Sequence, residues 1–218
     1  MITLYGVHRS RALRCIWALE EMGLAYRLVP VMQAFRLADP AAPDAPFNTR
    51  SADFLALNPA GSIPVLEEDG VVLAESLAIN LFLAQRHGGP IGAADPAEAA
   101  RIAQWTLFAA TEIEPRSHAI LMNRVQLPPD QRSEAKVVDA IAALRRPFAV
   151  LEQVLAQGHP VGGRFTVADI ALAETVRYAQ PAPEAFEGAP HLKAWLAACQ
   201  ARPAYRTILA RRDAEPAL

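Results

Sequence analysis

Residues 54–84, FLALNPAGSIPVLEEDGVVLAESLAINLFLA, change conformational type repeatedly within one short span. The helical pattern of 51–59 stops at Pro59, whose ring and missing N–H block continuation. Residues 62–75 hold apolar runs on either side of Asp69–Gly70, a pair suited to the positive φ angles of a tight hairpin turn. Ser76 then has the chemistry of an N-cap for a helix over 76–87, which the Gly88–Gly89–Pro90 breaker ends. The stretch therefore reads helix, hairpin, helix.

Working outward, ITLYG (2–6) predicts a strand closed by glycine. Ser10 precedes apolar Leu13, Ile16, Trp17 and Leu19, so the pattern predicts a helix with Ser10 as N-cap and Gly23 as its stop. AYRLVPV (25–31) predicts a second strand, which Pro30 places at an edge or near its end. Between them and the opening stretch lies an irregular segment, 33–50, with Pro40, Pro43 and Pro46, of a length usually reserved for functional or mobile loops. The first ninety residues thus run β-α-β-α-β-β-α. Beyond the breaker no strand is evident. Asp95–Pro96 supplies an N-cap followed by proline at the first helical position, and helical patterns cover 96–125, 132–157, 166–180, 189–200 and 203–212. This predicts an α/β domain at 1–87, a linker at 88–95 and an all-helical domain at 96–218.

Composition narrows the function classes. The chain has 218 residues, 52% hydrophobic and 20% charged, with a formal net charge of −2. That balance is globular, and it offers no clustered positive charge for nucleic acid or an anionic membrane. The two cysteines, Cys15 and Cys199, lie far apart and form neither a disulfide framework nor a zinc motif. The histidines have no metal-ligand spacing, so no metal is expected. No signal peptide or spanning segment is evident, and the expectation is a cytoplasmic protein.

Three places have residues suited to chemistry. Ile63–Pro64 enters a strand just before a hairpin, where a cis bond would leave the Ile63 backbone free to pair with a peptide-like ligand; a trans proline opening an edge strand is the alternative. Glu75–Ser76 lies at a strand end and helix start. The Ser76 N–H and hydroxyl suit a carboxylate, and Glu75 suits an ammonium group, as at the zwitterionic end of an amino acid; an ordinary cap is the alternative. Ser10 lies at the amino end of the first helix, where its hydroxyl can donate to a thiolate and lower the thiol's pKa; it can equally serve only as a cap. Arg11 or Arg14 would add positive field.

Together these stretches resemble the cytosolic glutathione transferase family over almost the whole chain. ITLYG…SRALRCIWALEEMGLAY resembles the family's first strand and helix, and its S-R-A-x-R-x-x-W wording resembles bacterial and fungal members. Residues 54–84 resemble the glutathione-binding signature, with N-P-x-G-x-[IV]-P-V-L and E-S-x-A-I. GGRFTVADIALAE and WLAACQARPAYRTIL resemble elements of the second domain. The resemblance implies a thioredoxin-like first domain, an all-α second domain, a homodimer, glutathione as co-substrate and a hydrophobic electrophile held against the second domain's helices. It assigns Ile63 and Pro64 to the cysteinyl part of glutathione, Glu75 and Ser76 to its γ-glutamyl end, Arg11 to the binding site and Ser10 to thiol activation. Tyr5 is the rival hydroxyl, since tyrosine-type members place theirs on this strand. Arg9 occupies the position at which many serine and cysteine members have the activating residue. Ser62 stands where a lysine is frequent, which leaves Arg36 or Arg50 to meet the glycyl carboxylate.

Other residues read as structural. Thr166 and Asp169 form a capping box, with Phe165 and Ile170 as its staple. Trp17, Trp105 and Trp195 fall at helical spacing, and Cys15 falls inside a helix. In FAATEIEPRSH (108–118), Pro115 should bend the helix, and Glu112, Glu114 and Arg116 form a polar group that suits either an electrophile pocket or an exposed face. The leading reading is a glutathione transferase acting on an electrophile or peroxide. The alternatives are a glutathione-binding or protein-interaction module with little turnover and, less favoured, a redox enzyme using its own cysteine.

Overall fold

The computed structural model describes residues 1–216. The chain runs β1 (Ile2–Tyr5), α1 (Ala12–Met22), β2 (Tyr26–Val29), α2 (Ala52–Leu57), β3 (Val65–Glu68), β4 (Val71–Ala74) and α3 (Ser76–His87). It continues through α4 (Pro96–Phe108), α5 (Glu114–Leu121), α6 (Glu134–Leu155), α7 (Val167–Val176), α8 (Pro190–Ala201) and α9 (Pro203–Ala214). Two compact units result: residues 1–89 with 203–218, and residues 90–202.

The first unit is built on a four-stranded sheet in the order β2-β1-β3-β4. β1 pairs with β2 in parallel and with β3 antiparallel, and β3–β4 is the expected hairpin. Its turn residues Asp69 and Gly70 both have positive φ, 47° and 83°, as the Asp-Gly pair demands. Alternation along the strands divides the side chains between faces. Leu4 opposite Leu66 is fully buried on one face. Tyr5 opposite Val65 lies on the other, where Val65 packs with Val31 and the α2 residue Phe54. Helix α1 is buried from Ala12 to Leu19. It packs against α3 and α9, and the Trp17 and Tyr205 rings meet at 4.6 Å. This is the thioredoxin-like half that the resemblance implies.

Three expectations change here. Segment 203–218, expected in the helical domain, belongs with the first unit as far as it is described. The cause is α9's apolar contact with α1, reinforced by Arg211 binding Glu20. The cap of α1 is Arg11 rather than Ser10, because a Leu13 N–H to Ser10 carbonyl bond of 3.1 Å inserts a tighter turn before the helix. The cap of α3 is Glu75, and Ser76 is the first helical residue. The proline-rich segment is pinned by Asn48. This residue is buried, bridges to Met32 and donates to the Pro40 and Pro46 carbonyls at 3.0 and 2.9 Å.

The second unit is helical throughout. Asp95 caps α4, accepting the Glu98 N–H at 2.8 Å, with Pro96 at the first turn as expected. Between α4 and α5 the helix widens into a π turn at Ala109–Ile113, and a second follows α5 at Met122–Gln126. Every residue of α7 is buried, so it is the axis of this unit's core. Its capping box is present, and Asp169 also accepts from the Trp195 indole at 2.9 Å and meets His159 Nδ1 at 2.7 Å.

Candidate active site

Gly6 ends β1 and permits the tight passage into α1. A side chain there would put its Cβ 2.7 Å from the Ala12 Cβ, at a φ of 157°. The turn that follows presents Ser10. Its hydroxyl donates to the Val7 carbonyl at 2.7 Å and accepts the Ala12 N–H at 3.1 Å. The oxygen is therefore already engaged with the amino end of α1, where helix N–H groups favour negative charge. Rotation about one side-chain bond exchanges the carbonyl for another acceptor.

Tyr5 is placed differently. Its hydroxyl donates to Glu67 on the neighbouring strand at 2.9 Å. Burial first, then the hydrogen bond and charge of Glu67, push the phenol above its ordinary range, with Arg27 opposing. A phenol whose proton is committed to a carboxylate is a poor donor to a second anion.

The Ile63–Pro64 bond is cis. Ile63 is half-buried, and its backbone enters no hydrogen bond among the described residues. Glu75 is exposed, with φ 68° and ψ 105°. Such left-handed backbone in a non-glycine residue costs about 1–3 kcal/mol and recurs at ligand clamps. The buried Ser76 beside it opens α3, and its carbonyl accepts from the Cys15 thiol at 3.3 Å. Cys15 is fully buried in α1, which fits a packing role rather than a redox one.

Arg11 is exposed at the cap of α1. Arg36 donates to the Arg9 carbonyl at 3.3 Å, whereas Arg50 is exposed in the wall of a cavity of about 370 Å³ that includes Phe35, Thr49 and Gly61. Arg9 is occupied elsewhere: its N–H donates to the Glu215 carboxylate at 2.9 Å and its Nε to the Glu215 carbonyl at 3.2 Å. Nothing in the sequence marks Glu215, because its partners, His8 and Arg9, lie more than two hundred positions away.

In the second unit the polar group of residues 112–116 satisfies its own helix. Pro115 has no N–H to give the Thr111 carbonyl, and Arg116 supplies the missing donor at 3.0 Å, bonding the Glu112 carbonyl as well.

The glutathione S-transferase N-terminal domain model matches residues 9–86, and the C-terminal domain model matches residues 104–203. The chain belongs to the glutathione S-transferase family. This transferase is 31% identical to glutathione S-transferase 3 of Zea mays over 221 residues, covering 96% of this chain and 93% of the relative. It is 29% identical to glutathione S-transferase GstB of Escherichia coli K12 over 214 residues, covering 96% and 98%. Among solved structures, the theta class transferase of Xanthomonas axonopodis pv. citri with glutathione bound is 29% identical, with a TM-score of 0.78 over 94% of this chain and 95% of that one. Glutathione transferase F7 of Populus trichocarpa is 26% identical, with a TM-score of 0.82 over 97% and 99%. Among the described residues of the transferase, no helix is long and apolar enough to cross a membrane.

Proposed function

We propose that this transferase binds glutathione in its first unit, and that Ser10 holds the thiol as a thiolate for attack on a hydrophobic electrophile. The observation that carries the assignment is the Ser10 hydroxyl, held between the Ala12 N–H and the Val7 carbonyl at the start of α1. On binding, the hydroxyl turns its proton from Val7 to sulfur, exchanging a neutral hydrogen bond for a charge-assisted one of roughly twice the strength. The thiol proton leaves to solvent. The thiolate then forms a carbon–sulfur bond as the electrophile's leaving group departs, or attacks a peroxide oxygen, forming an S–O bond as the O–O bond breaks and the alkoxide takes up a proton. A second glutathione then converts the sulfenic acid to glutathione disulfide and water. The gain comes from ionising and orienting a strong nucleophile.

The free Ile63 backbone suits the cysteinyl peptide, and Glu75 with Ser76 suits the γ-glutamyl ammonium and carboxylate. Arg11 adds positive field at the turn. Arg50 is the better candidate for the glycyl carboxylate, because the Arg36 guanidinium already binds the Arg9 carbonyl. Arg50→Ala should raise KM for glutathione about tenfold and leave kcat nearly unchanged, as loss of uniform binding does. A fall in kcat alone would overturn that role. The same reading includes a homodimer, and sedimentation as a monomer in analytical ultracentrifugation would remove it.

The test of the whole reading is direct. Glutathione should raise the melting temperature, and a panel of aryl halides, isothiocyanates and organic peroxides should include a substrate. Binding without turnover on the whole panel would favour the module with little catalysis. Absence of binding would remove both readings.

A further inference from the structure

The β1–α1 turn is held from outside by the far end of the chain. The Glu215 carboxylate accepts the His8 N–H at 3.0 Å with Oε1 and the Arg9 N–H at 2.9 Å with Oε2. The same Oε1 lies 3.2 Å from His8 Nδ1. The Arg9 side chain grips the same segment, its Nε donating to the Glu215 carbonyl at 3.2 Å and its Nη2 to the Asp213 carbonyl at 3.5 Å. Arg36 closes the arrangement by donating to the Arg9 carbonyl at 3.3 Å. Both sides of the residue preceding Ser10 are therefore fixed, its N–H by Glu215 and its carbonyl by Arg36.

We infer that Glu215 is a positioning residue for the thiol-activating turn, acting through the His8 and Arg9 backbone on Ser10. The inference rests on the assignment of Ser10 above. Two adjacent backbone N–H groups outside any helix ladder need two acceptors, and a carboxylate offers both oxygens at once, whereas an amide offers one. The site is partly buried: the His8 and Glu215 side chains are 13% and 21% exposed. Bidentate acceptance there fixes geometry as well as adding energy. The carboxylate's negative charge would by itself oppose a nearby thiolate. Both carboxylate oxygens are engaged by backbone N–H groups, so geometry rather than field is the expected effect. Arg9 anchors the strap, and the hydroxyl follows one residue later.

Glu215→Gln and Glu215→Asp in the full-length chain test this, each alone and with Ser10→Ala. The readouts are the thiol pKa of bound glutathione, kcat and KM, with thermal melting to confirm folding. Glu215→Gln should raise the bound thiol pKa and lower kcat by about tenfold, since small misplacement of a catalytic group is costly, while KM for glutathione stays within about twofold. Glu215→Asp, which keeps both oxygens, should recover most of kcat. In the Ser10→Ala background Glu215→Gln should add no further loss, because the two act through one group. An unchanged or lowered thiol pKa, or an equal loss in both backgrounds, would overturn the inference. If Ser10→Ala shifts the pKa and Glu215→Gln does not, only this inference fails. If Ser10→Ala shifts nothing, the Ser10 reading fails and takes this one with it.

Discussion

Replacing Ser10 by alanine removes one hydroxyl and leaves the helix end behind it in place, so the two contributions to thiolate stability can be separated. A hydrogen bond to a charged group is worth about 1.5–3 kcal/mol, and one pKa unit corresponds to roughly 1.36 kcal/mol. Because that bond replaces the one to Val7, itself worth about 0.5–1.5 kcal/mol, the bound thiol should rise by about one unit in Ser10→Ala. The amino end of α1 retains its own ~0.3–1 kcal/mol, so the thiol should still titrate somewhat below a free one, near ~8.5. At a pH well below both values, kcat/KM should fall about tenfold. As pH rises through the variant's thiol pKa, the two enzymes should converge. The assay is the pH dependence of thiolate ultraviolet absorbance in the glutathione complex, paralleled by the pH–rate profile. Folding should lose about 0.5–2 kcal/mol, the cap-like contribution of the bonds to Val7 and Ala12. A thiol pKa that stays put in Ser10→Ala, or that moves more in Tyr5→Phe, would refute the reasoning.

Gly6→Ala should destabilise the fold by about 1–3 kcal/mol, since its Cβ meets the Ala12 Cβ at 2.7 Å; a urea midpoint within error of wild type would show that the turn has room. Asp169→Ala strips partners from the Thr166 backbone and the Trp195 indole in the core of the helical unit. It should cost about 3 kcal/mol or more by chemical denaturation, and a loss below about 1 kcal/mol would contradict that network. Glu152 caps α8 by accepting the His191 and Leu192 N–H groups at 3.1 and 2.9 Å. Burial pushes its carboxyl up, but those N–H groups and the His191 ring outweigh it and hold the carboxyl below its ordinary range. Its stabilisation is therefore present at neutral pH and lost as pH falls through and below roughly 4. Glu152→Gln should lower the melting temperature at neutral pH and converge with wild type in acid; a gap independent of pH would contradict it.

Most of the architecture was legible because it is written locally. Asp69–Gly70 states its turn, Asp95–Pro96 its cap, and Thr166–Asp169 its capping box, each through interactions only a few residues apart. The signature of residues 54–84 could identify Ile63, Glu75 and Ser76 as candidates because their backbone settings follow from neighbouring residues. What escaped was decided at long range. Whether Tyr5 keeps its proton for a ligand depends on Glu67, a residue on another strand. The affiliation of α9 depends on Trp17 receiving Tyr205, and the use of Arg9 depends on Glu215. The one-residue offset of the α1 cap had a different origin: Ser10 has the right chemistry, but the Leu13–Ser10 bond adds a tight turn that composition does not report.

The return of α9 to the first unit makes that unit discontinuous in the chain. During synthesis its sheet and α1 emerge early, yet Trp17 receives Tyr205 only after the whole helical unit has left the ribosome. The first unit is thus the first to be started and the last to be finished, and a nascent chain stalled anywhere in the second unit exposes an α1 that still lacks its cover.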